Sequence, residues 1–234
     1  MDTESARRRL HPRMIDTDWL ILRQMQPAID RIAAQVAAKG SIALDFGCGS
    51  QPYRPIFESR GLIYRGADFD SGDVRVDESG RVDAADSSAD MVLSFQVLEH
   101  VRDVGRYLQE AHRLLRNGGW LLLSTHGTWL YHPHPEDHRR WTRQGLLAEL
   151  SRFGFETTEC ISLLGPLAWT TLLRLTCAYQ FCLRIPWVGR VLANALALVM
   201  NARGYLEESI TPDWVRRDNA CVYVTLSRAV GRQS

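Results

Sequence analysis

Ser41-Ile42-Ala43-Leu44-Asp45-Phe46-Gly47-Cys48-Gly49-Ser50-Gln51 is the stretch around which the rest of the chain is arranged. A short apolar run, Ile42-Ala43-Leu44, leads into Asp45 and then into a turn holding Gly47 and Gly49. A helix-compatible segment, Tyr53–Arg60, follows. Strand, glycine turn and helix in that order build a corner that cradles a nucleotide-like ligand. Glycine lets the ligand approach the backbone, and the start of the helix offers unpaired N–H groups.

The charge at this corner selects among ligands. A dinucleotide fingerprint, G-x-G-x-x-G, holds an anionic pyrophosphate. Here the third glycine position is Pro52, and Asp45 stands just ahead of the first glycine. A carboxylate repels a pyrophosphate and attracts an ammonium or a sulfonium. S-adenosylmethionine carries both cations and no phosphate, so the turn favours it over a nicotinamide dinucleotide.

Outward from the turn, Leu62-Ile63-Tyr64-Arg65-Gly66-Ala67 reads as a second strand ending at Asp68-Phe69-Asp70. Asp68 lies about twenty residues beyond the glycines, where an acidic side chain accepts bonds from ribose hydroxyls. Phe69 beside it joins the cofactor set. Val74-Arg75-Val76 reads as a short strand running into Asp77-Glu78, either of which can accept from an adenine amino group. Asp90–Phe95 is a buried strand followed by Gln96-Val97-Leu98-Glu99-His100-Val101. Helical spacing over Asp103–Arg116 stops at Asn117-Gly118-Gly119, and Trp120–Thr125 is the next strand. Upstream, Asp16–Lys39 reads as helical with an interruption near Pro27, either capping the site or packing on the sheet. Strands alternating with helices predict a doubly wound α/β sheet, with ligands at the carboxyl ends of its strands, where Gly47, Asp68 and Gln96 converge.

The chain has 234 residues, 45% hydrophobic and 24% charged, with a net charge of +1. That balance fits one ordinary globular domain and provides no overall basic field for nucleic acid. Lys39 is the only lysine, so nearly all positive charge is arginine. Cys48, Cys160, Cys177, Cys182 and Cys221 are odd in number and show no C-x-x-C spacing. They predict neither a disulfide framework nor a zinc knuckle and point to a cytoplasmic protein. Arg7-Arg8-Arg9 is not followed by a long apolar stretch, so a cleaved signal peptide is not expected.

Beyond the Trp120–Thr125 strand, residues 126–142 contain four of the seven histidines and two of the seven tryptophans. The segment is too polar and proline-rich for the interior of an element, and binding loops on a rigid scaffold often carry function. Three readings stand open. In an acceptor pocket, His126, His132 or His134 takes a proton while Trp129, Tyr131 and Trp141 form an aromatic wall and Arg140 contacts the acceptor. As a metal site, His132-x-His134-x-x-x-His138 is loosely spaced, and no metal is expected. As plain structure, the histidines satisfy loop backbone and Arg140 pairs with Asp137.

Thr142–Phe153 reads as a helix, while Phe155–Leu163 and Ala220–Ser227 suit the last two strands. Between those strands lie two apolar stretches, Leu167–Ile185 and Val191–Met200. Both are shorter than the roughly 20 apolar residues that span a bilayer. A helix pair packed on the sheet, a lid or homodimer interface, and shallow membrane docking all fit them.

Leu44-Asp45-Phe46-Gly47-Cys48-Gly49, Gly66-Ala67-Asp68, and Val97-Leu98-Glu99-His100-Val101 ahead of Leu114-Leu115-Arg116-Asn117-Gly118-Gly119 resemble class I S-adenosylmethionine-dependent methyltransferases. The nearest branch is the small-molecule group called type 11. The resemblance implies a Rossmann-like, seven-stranded doubly wound sheet with a reversed C-terminal hairpin and, here, a helical insertion between the last two strands. It places Asp45, Gly47, Cys48 and Gly49 at the methionyl part, Asp68 and Phe69 at the ribose side, Asp77 toward adenine and Gln96 beside the sulfur. The family usually has a further glycine where Gln51 stands. The lack of Asn-Pro-Pro-Tyr at Ser94-Phe95-Gln96-Val97 counts against methylation of base or glutamine amines. The implied division is a helical cap over 1–40, a core over 41–165 and 216–234, and an insertion over 166–215. The expected activity is methyl transfer, at oxygen, to a small-molecule or lipid- or glycan-linked acceptor, with peripheral membrane contact or a homodimer through the insertion. The rival is a non-catalytic binding protein of the same fold.

Overall fold

Period-two alternation along the central strands sorts their side chains onto two faces, and each face is covered by helices. The computed structural model describes residues 3–231, so the ends of the expected cap and core, residues 1–2 and 232–234, lie outside the described residues. In chain order the elements are α1 (Thr3–Leu10), α2 (Trp19–Val36), β1 (Ile42–Phe46), α3 (Arg54–Glu58) and β2 (Ile63–Asp68). Next come β3 (Val74–Arg75), β4 (Ala89–Phe95), α4 (Val104–Leu114), β5 (Leu115–His126), α5 (Arg143–Arg152) and β6 (Phe155–Leu163). α6 (Pro166–Leu183), α7 (Gly189–Ile210), α8 (Asp213–Asp218) and β7 (Val222–Ala229) complete the chain.

The seven strands lie in the order β3-β2-β1-β4-β5-β7-β6, parallel except for β7, which runs against both neighbours. On one face Ala43, Leu93 and Leu122 pack with Ile29 of α2, Phe57 of α3 and Leu172 of α6. On the other, Leu44, Val92, Leu121 and Leu123 pack with Leu108 of α4 and Leu146 of α5. Asp103 caps α4 through the Arg106 amide and Thr142 caps α5 through the Gly145 amide, so both helices start at residues whose side chains replace a missing carbonyl.

Two expectations about breaks do not hold. Pro27 lies inside a continuous α2, whose stripe Leu20, Ile21, Met25, Ile29 and Ile32 is buried along its length. That burial outweighs the loss of about 3 kcal/mol that an interior proline brings. Asn117-Gly118-Gly119 does not separate helix from strand either. β5 begins at Leu115, paired with Ala89, and the irregularity is absorbed in a register shift with Gly118 at φ +73°.

Because β7 reverses and β6 reverses again, β6 runs parallel to β5 and ends at the same sheet edge as β1, β2 and β4. The α6–α7 pair therefore leaves the sheet from the edge that carries the ligand corner. Cys221 ties this junction: its N–H is shared by the carbonyls of Leu163 and Leu164, and its carbonyl accepts from Gly127 and Thr128. Asn201 of α7 donates to the carbonyls of Met14 and Asp16, and Arg23 of α2 lies between the rings of Trp19 and Tyr205. No helix among the described residues is long and apolar enough to cross a membrane.

Candidate functional site

At the carboxyl end of β1 the chain turns through Gly47 (φ +85°) and Gly49 (φ +48°) into α3. A Cβ on Gly47 would meet Val97 Cγ2 at 2.7 Å, so the turn passes too close to the β4 loop for any side chain. Gln51, where the resembled family carries glycine, adopts φ +55°, the same left-handed conformation, with no glycine to ease it.

A cavity of about 110 Å³ opens over this turn. Asp45, Gly47, Cys48, Gly49, Phe95 and Gln96 line it, joined by Arg9 from α1. Asp45 is buried; Tyr64 donates to its Oδ2, and Oδ1 has no hydrogen-bond partner among the described residues. Burial, the largest influence, raises its pKa to about 7, against the bond from Tyr64. A buried carboxylate oxygen without a partner beside an open cavity is suited to a cationic ligand group. Gln96 holds φ +57° while its N–H donates to Ser124, a strained backbone at the cavity wall. Cys48 is a poor nucleophile, since burial pushes its thiol up to about 12.

Asp68 sits at the tip of β2, accepting the Gly49 N–H on Oδ2 and the Phe69 N–H on Oδ1, both at 2.8 Å. It braces the turn and keeps further lone pairs for a ligand. Phe69 is 59% exposed, a large apolar face at the same edge. Asp77, expected near adenine, is not among the residues lining the cavity. Its carboxylate accepts from Ser79 and Arg81 and closes its own turn.

The segment after β5 folds back over the tips of β4 and β5. His126 is buried, its ring stacked 5.8 Å from Trp129 at 6°, with Nε2 3.4 Å from Glu99 Oε1. His132 lies edge-on to His126 and His100, each at 4.9 Å between centroids, and His134 lies 5.8 Å from His132. The expected histidines thus converge, together with Glu99 and His100. Burial lowers the pKa of His126, His132 and His100, and neighbouring imidazoles add to it, so all three are neutral at pH 7. Glu99 moves the other way, to about 7, chiefly through burial.

Arg140, expected on the acceptor, is committed elsewhere. It grips Asp137 with both terminal nitrogens (2.5 and 2.7 Å) and donates to the carbonyls of Trp129, Leu130 and Arg139. It is the clasp of the loop, and the salt bridge holds the Asp137 carboxyl well below its usual range. Tyr131 is exposed and Trp141 half-buried, its backbone N–H donating to the His126 carbonyl. Sequence reasoning missed Arg9, read only as part of a basic run, and gave no role to Glu99 or His100.

A family profile described as a methyltransferase domain matches residues 19–174. The chain belongs to the methyltransferase domain family. Among relatives, it is 26% identical over 157 residues to a Mycolicibacterium smegmatis protein named a probable S-adenosylmethionine-dependent methyltransferase, covering 59% of this chain and 60% of that one. It is 30% identical over 158 residues to the ubiquinone biosynthesis O-methyltransferase of Azorhizobium caulinodans, covering 52% of this chain and 61% of that one. The matches thus span about three-fifths of these relatives' lengths. In fold it is similar to the Burkholderia thailandensis 1,6-didemethyltoxoflavin-N1-methyltransferase (TM-score 0.55, 15% identity, 88% of this chain and 78% of that one). It is similar as well to an S-adenosylmethionine-dependent methyltransferase of Mesorhizobium loti (TM-score 0.52, 18% identity, 91% and 98%). The methyltransferase fold expected from the sequence, with its reversed hairpin, is the one observed.

Proposed function

We propose that this methyltransferase moves the methyl group of S-adenosylmethionine onto an oxygen of a small or lipid-linked acceptor. The observation that carries the reading is the buried, half-partnered Asp45 carboxylate under a glycine turn, one strand away from a cluster of neutral imidazoles. Bound S-adenosylmethionine supplies an electrophilic methyl on a sulfonium, and the chain supplies placement. Asp45 takes the ammonium, Arg9 the carboxylate, Asp68 the ribose, and Phe69 an adenine face. Gln96 borders the reacting end, where Phe95 and the aromatic loop exclude water. Holding nucleophile and methyl in line is the main source of rate, up to about 7–11 kcal/mol of barrier. Proton removal by His126, His132 or His134 adds about 10²–10⁴-fold and is what a hydroxyl acceptor requires, which favours oxygen. The similarity to an O-methyltransferase of ubiquinone biosynthesis supports the same choice.

The α6–α7 hairpin supports a lipid-linked acceptor. It is rooted beside the His126–Trp129 segment, and we assign its tip to the surface of an anionic membrane, the protein being otherwise cytoplasmic. Incubation with methyl-labelled S-adenosylmethionine and fractionated cell extract tests the activity. Label is expected in a small-molecule or lipid fraction. Cofactor binding with no label transferred to any fraction would replace this reading with a non-catalytic binding protein.

A further inference from the structure

We propose that Glu99, His100 and His132 bind one divalent transition-metal ion of the zinc class at the tips of β4 and β5. Each residue offers one ligand atom, and the three atoms lie within 4.8 Å of one another. Two imidazole nitrogens and one carboxylate are a donor set that zinc accepts while keeping a position open. Coordination at about 2.0–2.2 Å requires ligand spacings of about 3.4 Å, so binding draws the His132 loop inward.

The surroundings are those of a ligand set. His100 Nδ1 is 2.6 Å from the Glu136 carbonyl and donates to it, which fixes the tautomer and leaves Nε2 as a lone pair. Thr125 donates to Glu99 Oε2 at 2.9 Å, while Oε1, in a residue with no exposed surface, has no hydrogen-bond partner among the described residues. His132 Nδ1 and His126 Nδ1 are likewise buried without one. The His132 amide is anchored on Asp137 at 2.9 Å, inside the clasp made by Arg140. Several unpaired lone pairs facing one another in a buried pocket are costly, and a shared cation satisfies them together. The charged groups around the cluster are Asp137 and Arg140, paired with each other, and Glu136, paired with Arg102 and His138. Glu99 Oε1 also faces the neutral His126 ring, with Nε2 3.4 Å away, and His132 Nδ1 lies 3.6 Å from Asp137 Oδ2, so among the described residues these contacts place no full cation on Glu99.

The only metal spacing weighed in the sequence, His132-x-His134-x-x-x-His138, is loose, and no metal is expected from it. In the structure His138 is turned to Glu136 at 3.0 Å, and the partners of His132 come from the loop after β4. The consequence rests on the acceptor-site reading: the open position takes the acceptor oxygen and makes it more acidic, leaving its proton to His126 or His134.

The test uses the metal alone, with neither cofactor nor acceptor, so it stands or falls separately from methyl transfer. Chelator-treated protein is titrated with ZnCl₂ by calorimetry near pH 7.5, and Co²⁺ is added in parallel to read coordination from its visible absorption. One zinc per chain is expected, with a tetrahedral Co²⁺ spectrum. His132→Ala is expected to weaken binding about tenfold or more, and His138→Ala to change it less than about twofold. Glu99→Gln is expected to behave as His132→Ala does. Should that buried variant fail to fold, His132→Ala on the loop decides alone. Absence of zinc binding, or binding that His132→Ala leaves unchanged, overturns the site.

Discussion

Burial holds the proton on Asp45 up to about pH 7, with Asp68 pushing the same way and Arg9 and Tyr64 opposing it. The other groups around it, Cys48 and Tyr53, are both pushed up to about 12 by burial and do not titrate nearby. A cofactor ammonium at Oδ1 requires the carboxylate, so binding expels that proton. Affinity for S-adenosylhomocysteine should therefore rise about tenfold between about pH 6 and pH 8. Asp45→Asn should bind weakly and lose that slope, and a wild-type affinity flat across the range would remove Asp45 from the site. For stability the sign is opposite: a carboxyl raised above its usual 3.8 favours folding in acid, and that contribution is lost as pH climbs through about 7. Arg9 gives a second residue-level prediction. A guanidinium bond to a carboxylate is worth about 1.5–3 kcal/mol, so Arg9→Ala should weaken S-adenosylhomocysteine binding about tenfold or more. Methylthioadenosine has no carboxylate, and its binding should barely change; equal losses for both ligands would assign Arg9 to packing alone. The placement of Asp45, Gly47, Asp68 and Gln96 at the strand tips and the turn was legible in the sequence, because strand, turn and strand ends follow local rules. Arg9 was not, since its position depends on how α1 packs, which no local pattern encodes.

Among the elements, the segment between β5 and α5 depends on one ion pair. Asp137 is 2% exposed in its side chain and Arg140 24%, so removing one partner leaves an awkwardly solvated charge. Asp137→Asn should cost about 2–3 kcal/mol and lower Tm by about 5–10 °C. Because the clasp also positions His132, the acceptor KM should rise while the S-adenosylhomocysteine Kd stays the same. An unaltered melting curve would show that the clasp does not hold the loop. The pairing of Arg140 with Asp137 could be anticipated at a spacing of i to i+3. The meeting of His132 with Glu99 and His100 could not, because it follows from β4 and β5 being neighbours and from a return of the chain over their tips. The same limit explains Asn117-Gly118-Gly119, whose stop signal is overruled by pairing with Ala89 and Met91. Local chemistry set the direction of the chain there, and sheet registration set where the strand began.

At the scale of the molecule, the α6–α7 hairpin is the feature a plain seven-stranded sheet lacks. Its inner stripe, Ala168, Leu172, Leu175, Ala193 and Ala197, is buried, whereas the turn and outer faces are not. Phe181, Ile185, Trp187, Val188, Val191 and Leu192 are exposed there, Trp187 completely. Between Glu159 and Glu207 the sequence contains no acidic residue, but it contains Arg174, Arg184, Arg190 and Arg203. Aromatic and aliphatic side chains set among arginines, on helices too short or too polar to span, suit a shallow seat at an anionic headgroup layer. The hairpin leaves the sheet at the same edge as the cofactor corner, so docking its tip brings that edge toward the membrane and toward a lipid-linked acceptor. The protein should sediment with phosphatidylglycerol vesicles and not with phosphatidylcholine vesicles, and added salt should weaken the binding. Each arginine near such a surface contributes about 1 kcal/mol, so Arg184→Glu with Arg190→Glu should reduce partitioning about thirtyfold or more. Trp187→Ala, at a position with no packing to lose, should reduce it without shifting Tm. If the hairpin instead joins two copies of the chain, light scattering without vesicles will give a dimer that Trp187→Ala dissociates, and phosphatidylglycerol will recruit nothing.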